Sequence, residues 1–140
     1  MAIETLSNPP ETAGWVLPES LRELSALDPE LIAELIESFV SDTASRLECL
    51  RAAFEEGDFD RVRREAHGIK GSASQMGAGD LPRLCRLTEV AAACQSMDGV
   101  RECLDALERS FAGACREMQN YAGLVRGEGR GNGQARSAWS

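Results

Sequence analysis

The chain has 140 residues, 43% of them hydrophobic and 27% charged, and a formal net charge of −8. That length suits one domain with a real core, and no run of roughly 18 apolar residues is present to span a membrane. An acidic balance argues against nucleic acid, whose phosphate backbone demands a basic face, and the opening Met-Ala-Ile-Glu-Thr lacks the charged start and apolar core of a signal peptide, so a cytoplasmic protein is expected.

Residues 1–18 form a polar lead with Asn8-Pro9-Pro10 and Pro18, expected to be mostly loose, with Trp15, Val16 and Leu17 as possible anchors. A short first helix follows, with Leu21, Leu24 and Leu27 on one side, where they either cap the bundle or form an exposed apolar rim next to His67. Asp28-Pro29-Glu30 is a strong helix start: an N-cap Asp, proline at the first helical position, and an acid in the first turn. The helix it opens carries Leu31, Ile32, Leu35, Ile36, Phe39, Val40, Leu47, Leu50 and Phe54 at helical spacing, and should stop near Glu56-Gly57.

Asp58 caps the next helix, which should end at Gly77. Another begins near Asp80-Leu81-Pro82 and runs to about Gln95, with Leu81, Leu84, Leu87, Val90, Ala91 and Cys94 as its apolar residues. The last starts near Asp98 and carries Val100, Cys103, Leu104, Leu107, Phe111, Ala114, Met118 and Tyr121. Short loops between helices of similar length predict an all-α, antiparallel up-down-up-down four-helix bundle with a short extra N-terminal helix. The bundle is assigned to residues 19–122, and the glycine-rich, polar segment 123–140 to a flexible tail. A monomer is expected.

The five cysteines, Cys49, Cys85, Cys94, Cys103 and Cys115, form no CxxC pair. With a single histidine in the chain, a metal site is not expected, and all five read as core or core-edge thiols of a reducing compartment.

That histidine is the most informative residue. The helix opened by Asp58 has an apolar stripe of Phe59, Val62, Ala66, Ile69, Ala73 and Met76, spaced 3, 4, 3, 4, 3. His67 lies about 130° from the centre of that stripe, so its imidazole should reach solvent. Arg63, Arg64, Lys70, Gly71 and Ser74 gather within about 60° of it. Neutral imidazole offers one nitrogen lone pair as a nucleophile. Lys70, one turn on, is placed to neutralise phosphoryl oxygens, with Arg63 and Arg64 as a positive rim. Gly71 in mid-helix costs about 1 kcal/mol against alanine, which a steric demand for room beside His67 would explain. Gly68, directly after the histidine, is expected to keep the approach open.

The residues His67, Lys70, Gly71, Ser72, Ala73 and Gly77 fit an H-x-x-K-G-[SA]-[SA] core with a glycine ten residues after the histidine. This stretch resembles the histidine-containing phosphotransfer (HPt) domain of multistep two-component relays, over roughly residues 26–121. The resemblance implies a four-helix bundle with the histidine exposed midway along its second long helix. It also implies that His67 takes a phosphoryl group from a receiver aspartate of a hybrid sensor kinase and passes it to a response regulator. No cofactor is expected on this chain, and the Mg²⁺ of phosphoryl transfer would come from the partner receiver domain. The chain has no nucleotide-binding loop, so a carrier rather than an enzyme is expected. Where some members of the family carry a glutamine facing the phosphate, this chain has Glu89, either a solvated charge or a group that orients the imidazole through its other nitrogen. The rival reading is a helical adaptor that binds a receiver or kinase without carrying phosphate.

Overall fold

The computed structural model describes residues 15–127, and within them all regular structure is helical. The helices are α1 (Glu19–Leu27), α2 (Pro29–Glu56), α3 (Phe59–Gln75), α4 (Leu81–Ala93) and α5 (Met97–Val125). The start and stop signals act as their chemistry dictates. The Asp28 carboxylate accepts from the Leu31 amide at 3.1 Å and that of Asp58 from the Arg61 amide at 3.2 Å, each satisfying a first-turn donor. Gly57 ends α2 at φ 74°, in the left-handed region where a side chain is penalised. Helix α5 starts one residue earlier than expected because the Ser96 hydroxyl accepts from the Gly99 amide at 3.0 Å. Asp80 begins α4 without capping it, its carboxylate being held by Arg83 at 2.9 and 3.2 Å.

Helix α2 packs on α3, α3 on α4, α4 on α5 and α5 back on α2, which closes a four-helix bundle, while α1 lies on α2. Ile32, Ile36, Leu50, Val62, Ile69, Leu81, Leu104, Leu107 and Met118 fill the centre and are almost wholly withdrawn from water. The helices are less alike in length than expected. At 1.5 Å per residue α2 and α5 reach about 42 and 43 Å, α3 and α4 only about 25 and 19 Å. The long pair therefore extends beyond the short pair, and α1 with the residues before it covers that end. Trp15 donates from Nε1 to the Met76 carbonyl at 2.7 Å and meets Tyr121 edge to face, with ring centroids 5.5 Å apart. Ser25 and Tyr121 share a hydrogen bond of 2.8 Å. Pro18 lies against Gly77, where a Cβ would sit 2.9 Å from its ring.

The lead docks through Trp15, one of its expected anchors; residues 1–14 lie outside the described residues. Two expectations need correction. Helix α5 does not stop at residue 122: Gly123, Leu124 and Val125 continue it, and Arg126 ties its end to α2 through Glu30 at 2.8 Å and Glu37 at 2.6 Å. The rest of the expected tail, 128–140, lies outside the described residues. The face of α4 is also rotated. Leu81, Cys85, Thr88 and Ala92 are buried, whereas Leu87, Val90 and Cys94 are exposed. Small side chains win the inner face because α4 must come close to α3, whose own inner face is Ala66, Ile69 and Ala73. Leu27, at the last turn of α1, is likewise exposed while Leu21 and Leu24 pack.

The cysteines follow this geometry: Cys85 is buried, Cys49, Cys103 and Cys115 are half-buried, and Cys94 is exposed, against expectation. Burial, and then the charge of Glu89, push the Cys85 thiol up to about 12, so almost no thiolate is present near neutral pH. In the native protein, alkylation followed by mass spectrometry is expected to modify Cys94 first and Cys85 only on unfolding. A second prediction concerns Thr43, buried in α2 with a hydroxyl that finds no partner among the described residues. Thr88, by contrast, donates to the Leu84 carbonyl at 2.8 Å. Thr43→Val keeps the shape and removes the orphaned polar group, and should raise unfolding free energy in urea by about 1 kcal/mol.

Candidate functional site

His67 projects from the middle of α3 with 71% of its side chain exposed, as the helical wheel predicts. Its backbone is fixed by the neighbours on either side of it in register, since Ala66, Ile69 and Ala73 are fully buried. The exposed imidazole thus stands on a rigid base.

Helix α4 runs antiparallel to α3 and brings Glu89 beside this position. Glu89 Oε2 lies 3.5 Å from His67 Nδ1 and 3.0 Å from Lys70 Nζ. Only 22% of the Glu89 side chain and 29% of the Lys70 side chain is exposed, so the carboxylate is more than a solvated charge. Oε2 itself is buried, and the ammonium approaches it off the direction of an aligned hydrogen bond, which leaves the oxygen able to accept another. Nδ1 is the ring nitrogen that faces this oxygen, at 3.5 Å, and no hydrogen bond joins the two.

Lys70 partly neutralises the Glu89 carboxylate, which lessens the repulsion that Glu89 would exert on an anion beside His67. Among the described residues nothing lies within 4 Å of the place the Cβ of Gly71 would occupy, so no packed helix there demands its smallness. Ser74 and Arg64 are exposed on the same face, and Arg63 is held loosely by Asp60 at 3.8 Å. Ser72, in contrast, turns back on its own helix, its hydroxyl donating to the Gly68 and Ile69 carbonyls at 3.4 and 3.3 Å.

Two features depart from expectation. Gly68 does not leave its side of the histidine open: the guanidinium of Arg46, from α2, lies over it, with Nη1 and Cζ 2.6 and 2.9 Å from the place of a Cβ. Arg46 is the residue that sequence reasoning missed. Its one local trace is a second mid-helix glycine with no packing reason visible in the α3 pattern. The leucines of α1 are not a rim beside His67, because α1 packs at the Met76 end of the bundle, about 13 Å further along α3. Among the described residues no group of three His, Cys, Asp or Glu side chains is placed to hold a metal ion, and no helix is long and apolar enough to cross a membrane.

The chain as a whole has counterparts among known proteins. The chain is similar to histidine-containing phosphotransfer protein 5 of Arabidopsis thaliana, with 23% identity over 99 residues, and that match covers 69% of this chain. It spans 63% of the length of that plant protein. The crystal structure of histidine-containing phosphotransfer protein B from Pseudomonas aeruginosa PAO1 superposes with a TM-score of 0.69 at 29% sequence identity, covering 76% of this chain and 93% of the bacterial one. The family model of the Hpt domain matches residues 34–117, which take in α3, α4, most of α2 and most of α5. The chain belongs to the Hpt domain family.

Proposed function

We propose that this protein is a phosphoryl carrier of two-component signalling, with His67 as the residue that bears the phosphoryl group. The observation that carries the reading is the contact set at His67: Glu89 Oε2 at 3.5 Å from Nδ1, and Lys70 Nζ at 3.0 Å from the same oxygen. The donor is the aspartyl phosphate of a receiver domain in a hybrid sensor kinase. The acceptor is a receiver aspartate of a response regulator. Both partners are cytoplasmic in this reading, and Mg²⁺ belongs to the receiver's acidic pocket.

The chemistry follows from charge and proton position. The Nε2 lone pair attacks phosphorus, the P–Nε2 bond forms as the P–O bond to the aspartyl carboxylate breaks, and that oxygen leaves as carboxylate. Positive charge develops on the ring during the attack, and Glu89 beside Nδ1–H stabilises it. Lys70 meets the negative charge of the transferred oxygens. Return of the group to a second receiver reverses these bond changes. The space beside Gly71 admits the phosphoryl group and the loops of the partner that delivers it. Nothing in this scheme needs ATP at His67, so the protein carries the group rather than turning over a substrate.

The deciding experiment is transfer of a radiolabelled phosphoryl group from a phosphorylated receiver to the wild type and to His67→Gln. Acid-labile, base-stable label on the wild type and none on the variant is expected. Receiver binding without label would favour the adaptor reading. Lys70→Ala should slow transfer by about tenfold to a hundredfold, measured by the same assay in rapid-quench form. Gly71→Ala should raise stability by about 1 kcal/mol in urea unfolding, because its Cβ meets nothing and alanine favours the helix. Gly71→Leu should leave the fold intact yet slow transfer by filling the space beside the imidazole.

A further inference from the structure

Lys70, one turn from His67, is already paired with Glu89 at 3.0 Å, while Arg63, held loosely by Asp60 at 3.8 Å, and Arg64 are exposed side chains of the same helix. A phosphoryl group brings up to about two negative charges, more than a lysine shared with a carboxylate neutralises. A second cation lies close by on another helix. Arg46 reaches from α2 across the backbone of α3, and its guanidinium rests over Gly68, the residue next to His67. The side chain is 48% exposed and pairs with Glu65, two residues before the histidine, at 3.2 Å. An exposed pair of this kind adds little to stability, typically below about 1 kcal/mol. Glycine at position 68 costs the helix about as much. A bridge between α2 and α3 is therefore a poor reason for keeping a guanidinium over a bare stretch of backbone.

From this placement we infer that Arg46 is a phosphate-binding residue of the loaded state, which exchanges Glu65 for the phosphoryl oxygens on His67. The inference rests on the carrier reading of His67. Arginine suits the task because its planar fork stays charged at all working pH and binds two oxygens of one phosphoryl group at once. Glu65 holds the side chain beside the histidine while the site is empty, and its carboxylate competes with the phosphoryl group for the same donors. Gly68 supplies the passage: any side chain there would displace the guanidinium. Arg46 thereby adds charge on the side of the imidazole opposite Glu89 and Lys70, which come from α4 and the following turn of α3. It favours the phosphorylated state of this protein in its equilibrium with a receiver aspartate.

The test exploits the opposite signs that the inference assigns to the two members of the Arg46–Glu65 pair. The equilibrium fraction of phospho-His67 against a phosphorylated receiver is measured for wild type, Arg46→Gln, Glu65→Gln and Gly68→Ala, together with urea unfolding of each. Arg46→Gln is expected to lower the ratio of phosphorylated to free protein by about tenfold, the worth of a charge-assisted hydrogen bond. Glu65→Gln is expected to raise it, because the guanidinium is no longer held back. Gly68→Ala should lower it by pushing the guanidinium aside while the helix gains stability, and it takes the place of Arg46→Gln if that variant fails to fold. A merely structural pair predicts the same sign for both partners, so occupancy that falls in both, or stays unchanged in Arg46→Gln, overturns the inference. A wild type that takes no label overturns the carrier reading itself, which the other outcomes leave standing.

Discussion

The close approach of α3 and α4 is the constraint on which the site depends. It is achieved with small side chains on both inner faces, Ala66 and Ala73 on one and Cys85, Thr88 and Ala92 on the other. Larger residues there would push the helices apart and withdraw Glu89 from the 3.0–3.5 Å range in which it touches both Lys70 and His67. Thr88 shows how narrow the requirement is. Its hydroxyl is satisfied within its own helix by the Leu84 carbonyl, so a polar residue of modest size is tolerated in the dry interior. Packing and chemistry are linked through that one interface, since the residue after Thr88 is Glu89 itself.

The electrostatic arrangement around His67 alternates in sign. Reading across the site, Arg46 is held by Glu65, the imidazole stands at the centre, and Glu89 and Lys70 close the far side. Arg46 and Lys70 each have a carboxylate within reach, which lowers the self-repulsion of positive charge clustered at the empty site. On the proposed function, an arriving phosphoryl group competes with carboxylates for donors already in place. That competition moderates affinity, which suits a group that must leave as readily as it came.

Much of this was legible in the sequence where the physics is local. Asp28, Asp58 and Gly57 mark helix ends through bonds to residues within a few positions, and the solvent-facing direction of His67 follows from the spacing of Val62, Ala66, Ile69 and Ala73 alone. The failures lie where a second element decides. On α4 two sets of positions share helical spacing, and hydropathy favours Leu87 and Val90 over Thr88 and Ala92; the nearness of α3 reverses that order. Arg46 lies on a different helix from His67, and no spacing rule joins them. The clamp of Arg126 on Glu30 and Glu37 was hidden in the same way, behind a composition that suggests a loose tail.

Gly77 is constrained from two directions at once. Its φ of 61° ends α3 in a conformation that disfavours side chains, and the ring of Pro18 occupies the space a Cβ would take. The neighbouring Met76 carbonyl is held by Trp15. The turn between α3 and α4 is therefore sealed by the segment that precedes α1, and cannot open without shedding it. The helix that carries His67 and the first anchored residues of the chain form one cooperative unit, in which fraying at either end is felt at the other.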